Sequence, residues 1–237
     1  MDNKPNFGAG MSRARAKEAA KRYLILIVGL FINAIGINLI TNATLGTSPI
    51  TSVPYTLALR FNPTLGEFTF IINLLIILVQ LIILRKRFRA EYWLEIPIVF
   101  LLSAFIDLTE PLFSPLTPES YALKIVLLLI GCAVLGVGVA LEFVANAAML
   151  PGEGCVNAVC TVFHTDMGKT KIGFDVSMTV IAAVMSLVFF GRLISVREGT
   201  VISAVLVGLI ARTVRPRLTF LDRFIMSHPA EKRRAKA

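Results

Sequence analysis

NATLGTSPITSVPYTLALRFNPTLGEFTFIIN, residues 42–73, and NAAMLPGEGCVNAVCTVFHTDMGKTKIGFD, residues 146–175, are two versions of one pattern. Each begins Asn-Ala and passes a turn broken by glycine and proline, Gly46–Pro49 in the first and Pro151–Gly154 in the second. Each then enters a short apolar stretch, Ile50–Phe61 or Cys155–Phe163, and reaches a Leu-Gly or Met-Gly step at Gly66 or Gly168. Asn73 and Asp175 follow those glycines at the same distance. The apolar stretches are too short to cross a bilayer, which takes about 20 residues. They suit re-entrant segments, and such backbone survives at membrane depth only when buried in protein or lining a water-filled cavity.

Outward from these stretches the chain reads as long apolar runs. It has 237 residues, 56% hydrophobic and 16% charged, with a mean hydropathy of +0.76. A soluble domain carries about 25% charged residues, so this composition excludes an ordinary soluble enzyme. Six segments approach or reach spanning length: Tyr23–Ile40, Glu67–Leu84, Trp93–Leu108, Leu123–Val144, Ile172–Phe190 and the weaker Thr200–Val214. Tyr23, Tyr92, Trp93 and Tyr121 stand at segment ends, where amphipathic rings favour the membrane interface. The predicted fold is all-α and polytopic. The first run is read as a retained helix, with no signal-peptide cleavage site after it.

The net charge of +9 is clustered. It gathers at Lys4 to Arg22, at Arg85–Arg89 and at Arg212 to Lys236, while the connection from Pro111 to Tyr121 has no lysine or arginine. Basic clusters beside apolar spans fix topology and meet anionic headgroups, which explains them without nucleic acid. The positive-inside rule then places both termini in the cytoplasm of a cell inner membrane, with Arg192 and Arg197 on the less favoured side. Residues 1–22 read as a basic arm, 23–110 and 123–215 as two repeats, 111–122 as an external connection and 216–237 as a basic tail.

The likeness of the halves extends backward. Asn42 pairs with Asn146, Asn38 with Glu142 and Ala34 with Gly138, and these positions recur every fourth residue. Side chains at that spacing share one helical face. Three crossings per half reverse the chain, so the halves are predicted to form an inverted repeat. Secondary transporters with that architecture place a site at the midplane on broken helices.

The segment Asn42–Pro49, the step Thr64–Gly66 and their echo in the second half resemble the YczE/YyaS/YitT group of bacterial membrane proteins, over about Tyr23 to Arg215. The resemblance implies a bacterial inner-membrane protein and assigns no catalytic residue. The second half departs from it, with Leu150-Pro151-Gly152-Glu153 where the first has Gly46-Thr47-Ser48-Pro49.

Ten polar residues are candidates for a solute path: Asn38, Asn42, Thr47, Ser48, Asn73, Glu142, Asn146, Glu153, Asn157 and Asp175. Glu142 is the sharpest, because a carboxylate within a membrane costs about 2.5–3.5 kcal/mol and usually faces the bundle interior. The plain alternative is a glutamate snorkelling to the headgroups. Unpaired amides at the start of a Cys155–Phe163 half-helix would favour an anion or polar group near Glu153 and Asn157. Thr47 and Ser48 offer the same in the first half, or serve as caps. Asn73 and Asp175 equally suit inter-helix hydrogen bonds. Asp107 and Glu110 read as interfacial.

Cys132, Cys155 and Cys160 match neither a disulfide framework nor a zinc pattern, and no phosphate loop, zinc-protease or nucleophile-elbow motif is present. No cofactor, metal or nucleic acid is expected, and no enzymatic activity. The expected partners are the lipid bilayer and an unidentified small solute. The leading expectation is a secondary transporter or facilitator; the alternative is a membrane scaffold or regulatory partner.

Overall fold

The computed structural model describes residues 7–221 apart from Arg89, Thr117 and Thr219. The expected arm residue Lys4 and the tail residues Arg223, Lys232, Arg233, Arg234 and Lys236 lie outside the described residues. The described chain is helical throughout, with no strand. Its elements are α1 (Phe7–Asn42), α2 (Pro49–Arg60), α3 (Leu65–Leu84), α4 (Glu95–Phe113), α5 (Tyr121–Ala145), α6 (Pro151–Phe163), α7 (Met167–Phe190) and α8 (Glu198–Val214), with short 3-10 turns beside them.

Five of these are long and apolar enough to cross a membrane, which points to a membrane protein: residues Ala16–Asn42, Leu65–Leu84, Tyr92–Phe113, Tyr121–Ala145 and Met167–Phe190. The sixth expected span corresponds to α8. Its 17 residues reach about 25 Å, short of a full hydrocarbon core. The first helix also runs back to Phe7, through most of the stretch expected as a separate basic arm. The spanning helices turn large apolar side chains outward, among them Ile82, Phe100, Leu108 and Val188. Exposed apolar surface on this scale is stable only against lipid or another protein.

Local chemistry sets the helix ends. Thr64 and Glu67 form a reciprocal capping box at the start of α3, and Asp166 accepts from the amide of Lys169 at the start of α7. α5 ends on Asn146 and α7 on Gly191, both left-handed. The two short helices start alike. Ser48 and Leu150 are extended, with ψ of 151° in each, and a proline follows as the first helical residue. Proline suits that position because its missing N–H would lack a helical partner anyway. The second short helix therefore begins at the Pro151–Gly154 break itself, four residues before the expected Cys155.

α1 and α5 form the central pair. Gly29 meets Leu141, Asn33 meets Gly138, Gly36 meets Leu135 and Ile40 meets Gly131, so the helices run antiparallel. The contact is close: a Cβ on Gly36 would lie 2.6 Å from the backbone nitrogen of Leu135. α4 packs on α1, and α8 packs on α5. The short helices then cross over, α2 packing on α7 and α6 on α3, with a smaller contact between α2 and α3. Both are buried along one face, α2 through Thr51, Ser52, Val53 and Thr56 and α6 through Gly154, Cys155, Val156 and Ala158.

Each broken connection is pinned by the far half. Leu45 accepts from the amide of Gly199 at 2.8 Å, Ser195 accepts from the amide of Thr47 at 3.3 Å, and the Thr56 hydroxyl donates to Ser195 Oγ at 2.6 Å. Gly46 makes that approach possible with a φ of 100°, which a side chain would strain. On the other side Gln80 Nε2 donates to the Pro151 carbonyl and to Glu95 Oε2, each at 2.9 Å.

Candidate functional site

A cavity of about 440 Å³ lies between the helices. The first turns of both short helices reach it, through Ser48, Ile50 and Thr51 of α2 and Gly152 and Glu153 of α6. This follows from the extended residue and proline that start each helix, since they turn the chain inward at that point. Its apolar wall includes Ile37, Leu102, Leu135, Val139 and Val207. Its volume falls in the range of small-ligand pockets, about 300–1,000 Å³.

The polar lining separates by burial. The buried part comprises Asn33, Ser48, Thr51, Thr69, Asn73, Glu142 and Ser203. Asn33 donates through Nδ2 to Glu142 Oε1 at 2.7 Å, joining α1 to α5 across their tight contact. Asn73 turns its amide back to the Thr69 carbonyl, and Ser48 and Thr51 share a hydrogen bond of 2.8 Å. The exposed part is basic. Lys171 pairs with Asp175 at 2.9 Å, and Arg212 and Arg215 stand at the last turn of α8 and just beyond it. The Arg215 guanidinium lies 5.5 Å from the ring centre of Phe143, within cation–π range.

Glu153, on the short helix α6, interacts electrostatically with Glu142, Lys171 and Asp175. Burial pushes its carboxyl above the ordinary range; Lys171 opposes that rise and Asp175 adds to it.

Of the ten candidates, Ser48, Asn73, Glu142, Glu153 and Asp175 line this cavity, whereas Asn38, Asn42, Thr47, Asn146 and Asn157 do not. Each of the second group has a local reason. Asn38 donates to the Ile106 carbonyl and to Thr109 Oγ1, at 2.8 and 2.9 Å, fastening α1 to α4. Asn42 is the last residue of α1. Thr47 is buried just before the cavity wall, its hydroxyl without a partner among the described residues. Asn146 is the exposed left-handed cap of α5, so the every-fourth-residue stripe from Glu142 stops there. Asn157 lies on the second turn of α6, its carbonyl accepting from the Thr161 hydroxyl. Glu142 does not point toward a stripe partner; it meets Asn33 on the neighbouring helix. Asp107 is not simply interfacial: it accepts from the Gly66 amide and the Thr64 hydroxyl, at 2.9 and 2.8 Å.

The cavity residues missing from that set carried a signal. Asn33 interrupts an apolar run, as Gln80 does, and a polar residue at membrane depth is itself the pointer. Arg212 and Arg215 belong to a basic cluster whose topological role hides their place in the lining. Among the described residues no group of three or more histidine, cysteine or acidic side chains is placed to hold a metal ion.

Against known proteins, the chain is 26% identical over 192 residues to an uncharacterized protein of Haemophilus influenzae (strain ATCC 51907 / DSM 11121 / KW20 / Rd), covering 81% of this chain and 82% of that one. No solved structure matches it. Residues 20–216 match the profile of DUF6198, a family of unknown function, and the chain belongs to that family.

Proposed function

We propose that this protein is a secondary transporter or facilitator of a small polar solute, built as two inverted repeats around the cavity, and is not an enzyme. The observation that carries the reading is the cavity itself, which two broken-helix starts reach from the two halves of the chain. Inverted-repeat transporters place their sites on such discontinuous helices.

The packing supports the repeat. A two-fold relation that exchanges α1 with α5, α2 with α6, α3 with α7 and α4 with α8 requires reciprocal contacts. Three pairs of contacts are reciprocal, α1 with α4 and α5 with α8, α2 with α7 and α6 with α3, α2 with α3 and α6 with α7, while the contact of α3 with α4 has no equal between α7 and α8. α4 and α8 both begin at a glutamate, Glu95 and Glu198. In this reading α2 and α6 are re-entrant, α8 completes the six crossings by tilting the bilayer boundary or thinning it locally, and both termini lie in the cytoplasm of the inner membrane. The finer kinship with the YczE/YyaS/YitT group belongs to the same proposal.

The test is uptake by the full-length protein reconstituted in vesicles, over a panel of amines, acids, zwitterions and neutral polar solutes. Uptake of at least one class above empty vesicles is expected, and the Glu142→Gln variant is expected to move it without the wild-type dependence on pH or cation. Absence of uptake for every class, with a protein that elutes as a single species, overturns the reading. A reporter active only outside the cytoplasm, fused to the C-terminus, checks the orientation; activity there would break the topology and the inverted repeat together.

A further inference from the structure

We infer that the solute is a zwitterion, with an ammonium group that docks on Glu142 and an acidic group that faces Arg212 and Arg215. The inference rests on the transport reading for the identity of the cavity as a solute site, and it names what that site takes.

The charge inventory of the cavity leads there. Lys171 and Asp175 satisfy one another at 2.9 Å. That leaves two carboxylates, Glu142 and Glu153, and two guanidinium groups, Arg212 and Arg215, lining the same space. Among the described residues no ion pair joins the two sets. Two sets of unlike charge lining one cavity, with no ion pair between them, select a molecule that carries both signs, since it alone can neutralise both.

The buried end fixes the sign of the inner group. Glu142 is 8% exposed and Asn33 is 2% exposed. Glu142 Oε1 accepts from Asn33, while Oε2 takes no hydrogen bond among the described residues and the side chain faces the cavity. Asn33 Oδ1 is packed against Gly138 of α5, so the acceptor left for a ligand is Glu142 Oε2. An unpartnered carboxylate oxygen beside a second carboxylate, Glu153, calls for a donor bearing positive charge. An ammonium group offers three N–H donors and no acceptor. Charge interactions there are stronger than at the exposed arginines, because the effective dielectric is lower. Among the described residues no group of three or more histidine, cysteine or acidic side chains is placed there for a divalent metal ion. Leu135, Val139 and Val207 line the same space along α5 and α8 and suit a methylene backbone.

The experiment is calorimetric titration of the purified full-length protein in detergent with glycine, 4-aminobutanoate and 6-aminohexanoate, and with butylamine and butanoate as single-charge controls. At least one zwitterion is expected to bind at least about tenfold more tightly than either control. Glu142→Gln should weaken the zwitterion and butylamine alike, with Glu142→Asp recovering part of the loss. The double change Arg212→Gln with Arg215→Gln should bring the zwitterion down to the level of butylamine without weakening butylamine. Butanoate or butylamine binding as tightly as every zwitterion overturns the inference, as does zwitterion binding that neither variant alters. Binding without vesicle uptake keeps the inference and removes transport. Uptake of an unrelated solute, with none of the three zwitterions bound, does the reverse.

Discussion

The seam between α3 and α4 and the space between α7 and α8 occupy equivalent places in the repeat proposed above, and they differ. α3 packs closely on α4. A Cβ on Gly66 would come within 2.5 Å of the Asp107 carboxyl carbon, and Asp107 ties down the first turn of α3 with two hydrogen bonds. α7 and α8 make little direct contact. Gly173 and Gly208 have no atom within 4 Å of where a Cβ would stand. The cavity fills the space that results, with Lys171 and Asp175 on one side and Ser203, Val207 and Arg212 on the other. One sequence pattern has thus produced a shut seam and an open one. Under the inverted repeat proposed above, seams of this kind lie toward opposite faces of the membrane, and on that reading the difference would be that of a transporter resting with its site open to one side, the bistable element that alternating access needs.

The largest effect should come from comparing reactivity across the two seams. In a background with Cys132, Cys155 and Cys160 replaced by alanine, Ser203→Cys lies in the cavity and Ser103→Cys behind the α3–α4 seam. A small water-soluble methanethiosulfonate should modify the former about two orders of magnitude faster, the ratio set by an opening cost of about 3 kcal/mol. Equal rates would mean that both seams are open, or both shut, in the membrane. Stability should follow the same contrast. Gly66→Ala presses a methyl group into the Ser103 carbonyl and Asp107, and should cost about 1–3 kcal/mol in denaturant unfolding. Gly208→Ala meets open space and should gain up to about 1 kcal/mol from helix propensity. A Gly208→Ala loss as large as that at Gly66 would place α8 against α7 in solution and remove the comparison.

Much of this contrast was not legible in the sequence. The spans were, because hydropathy sums over many residues. The two short helices were also legible, because Ser48-Pro49 and Leu150-Pro151 punctuate otherwise apolar chain. Half of the candidate set proved to line the cavity. Asn38 and Asn146 carried the same polar signal as Glu142, yet one is consumed by a contact with α4 and the other by a helix cap. A period of four residues assigns a face but not a neighbour. Asn33 missed the chosen stripe by one position, and its place opposite Gly138 depends on how α1 and α5 cross. The difference between the seams rests on Asp107, which bonds α4 to the start of α3, whereas among the described residues no hydrogen bond joins α8 to α7. Read alone, an acidic residue near a helix end looks like any interfacial carboxylate.

Asp107 also gives the smallest and most discriminating test. Its Oδ1 accepts from the Gly66 amide at 2.9 Å and its Oδ2 from the Thr64 hydroxyl at 2.8 Å, both near the surface. Asp107→Asn keeps the shape and one acceptor, while the charge assistance to both bonds is lost. A hydrogen bond to a charged group is worth about 1.5–3 kcal/mol net and a neutral one about 0.5–1.5, so losing the charge from these near-surface bonds should lower global stability by about 1 kcal/mol. The seam has few other polar ties at that end, so most of the loss should appear as local opening. A cost of about 1 kcal/mol corresponds to a factor of about five in population. The Ser103→Cys modification rate should therefore rise about fivefold in the Asp107→Asn background, while Ser203→Cys stays constant or falls as the two seams trade places. A rise at both positions would indicate general loosening. No rise at Ser103 would mean that glycine packing alone holds the seam shut, and that Asp107 serves only to cap α3.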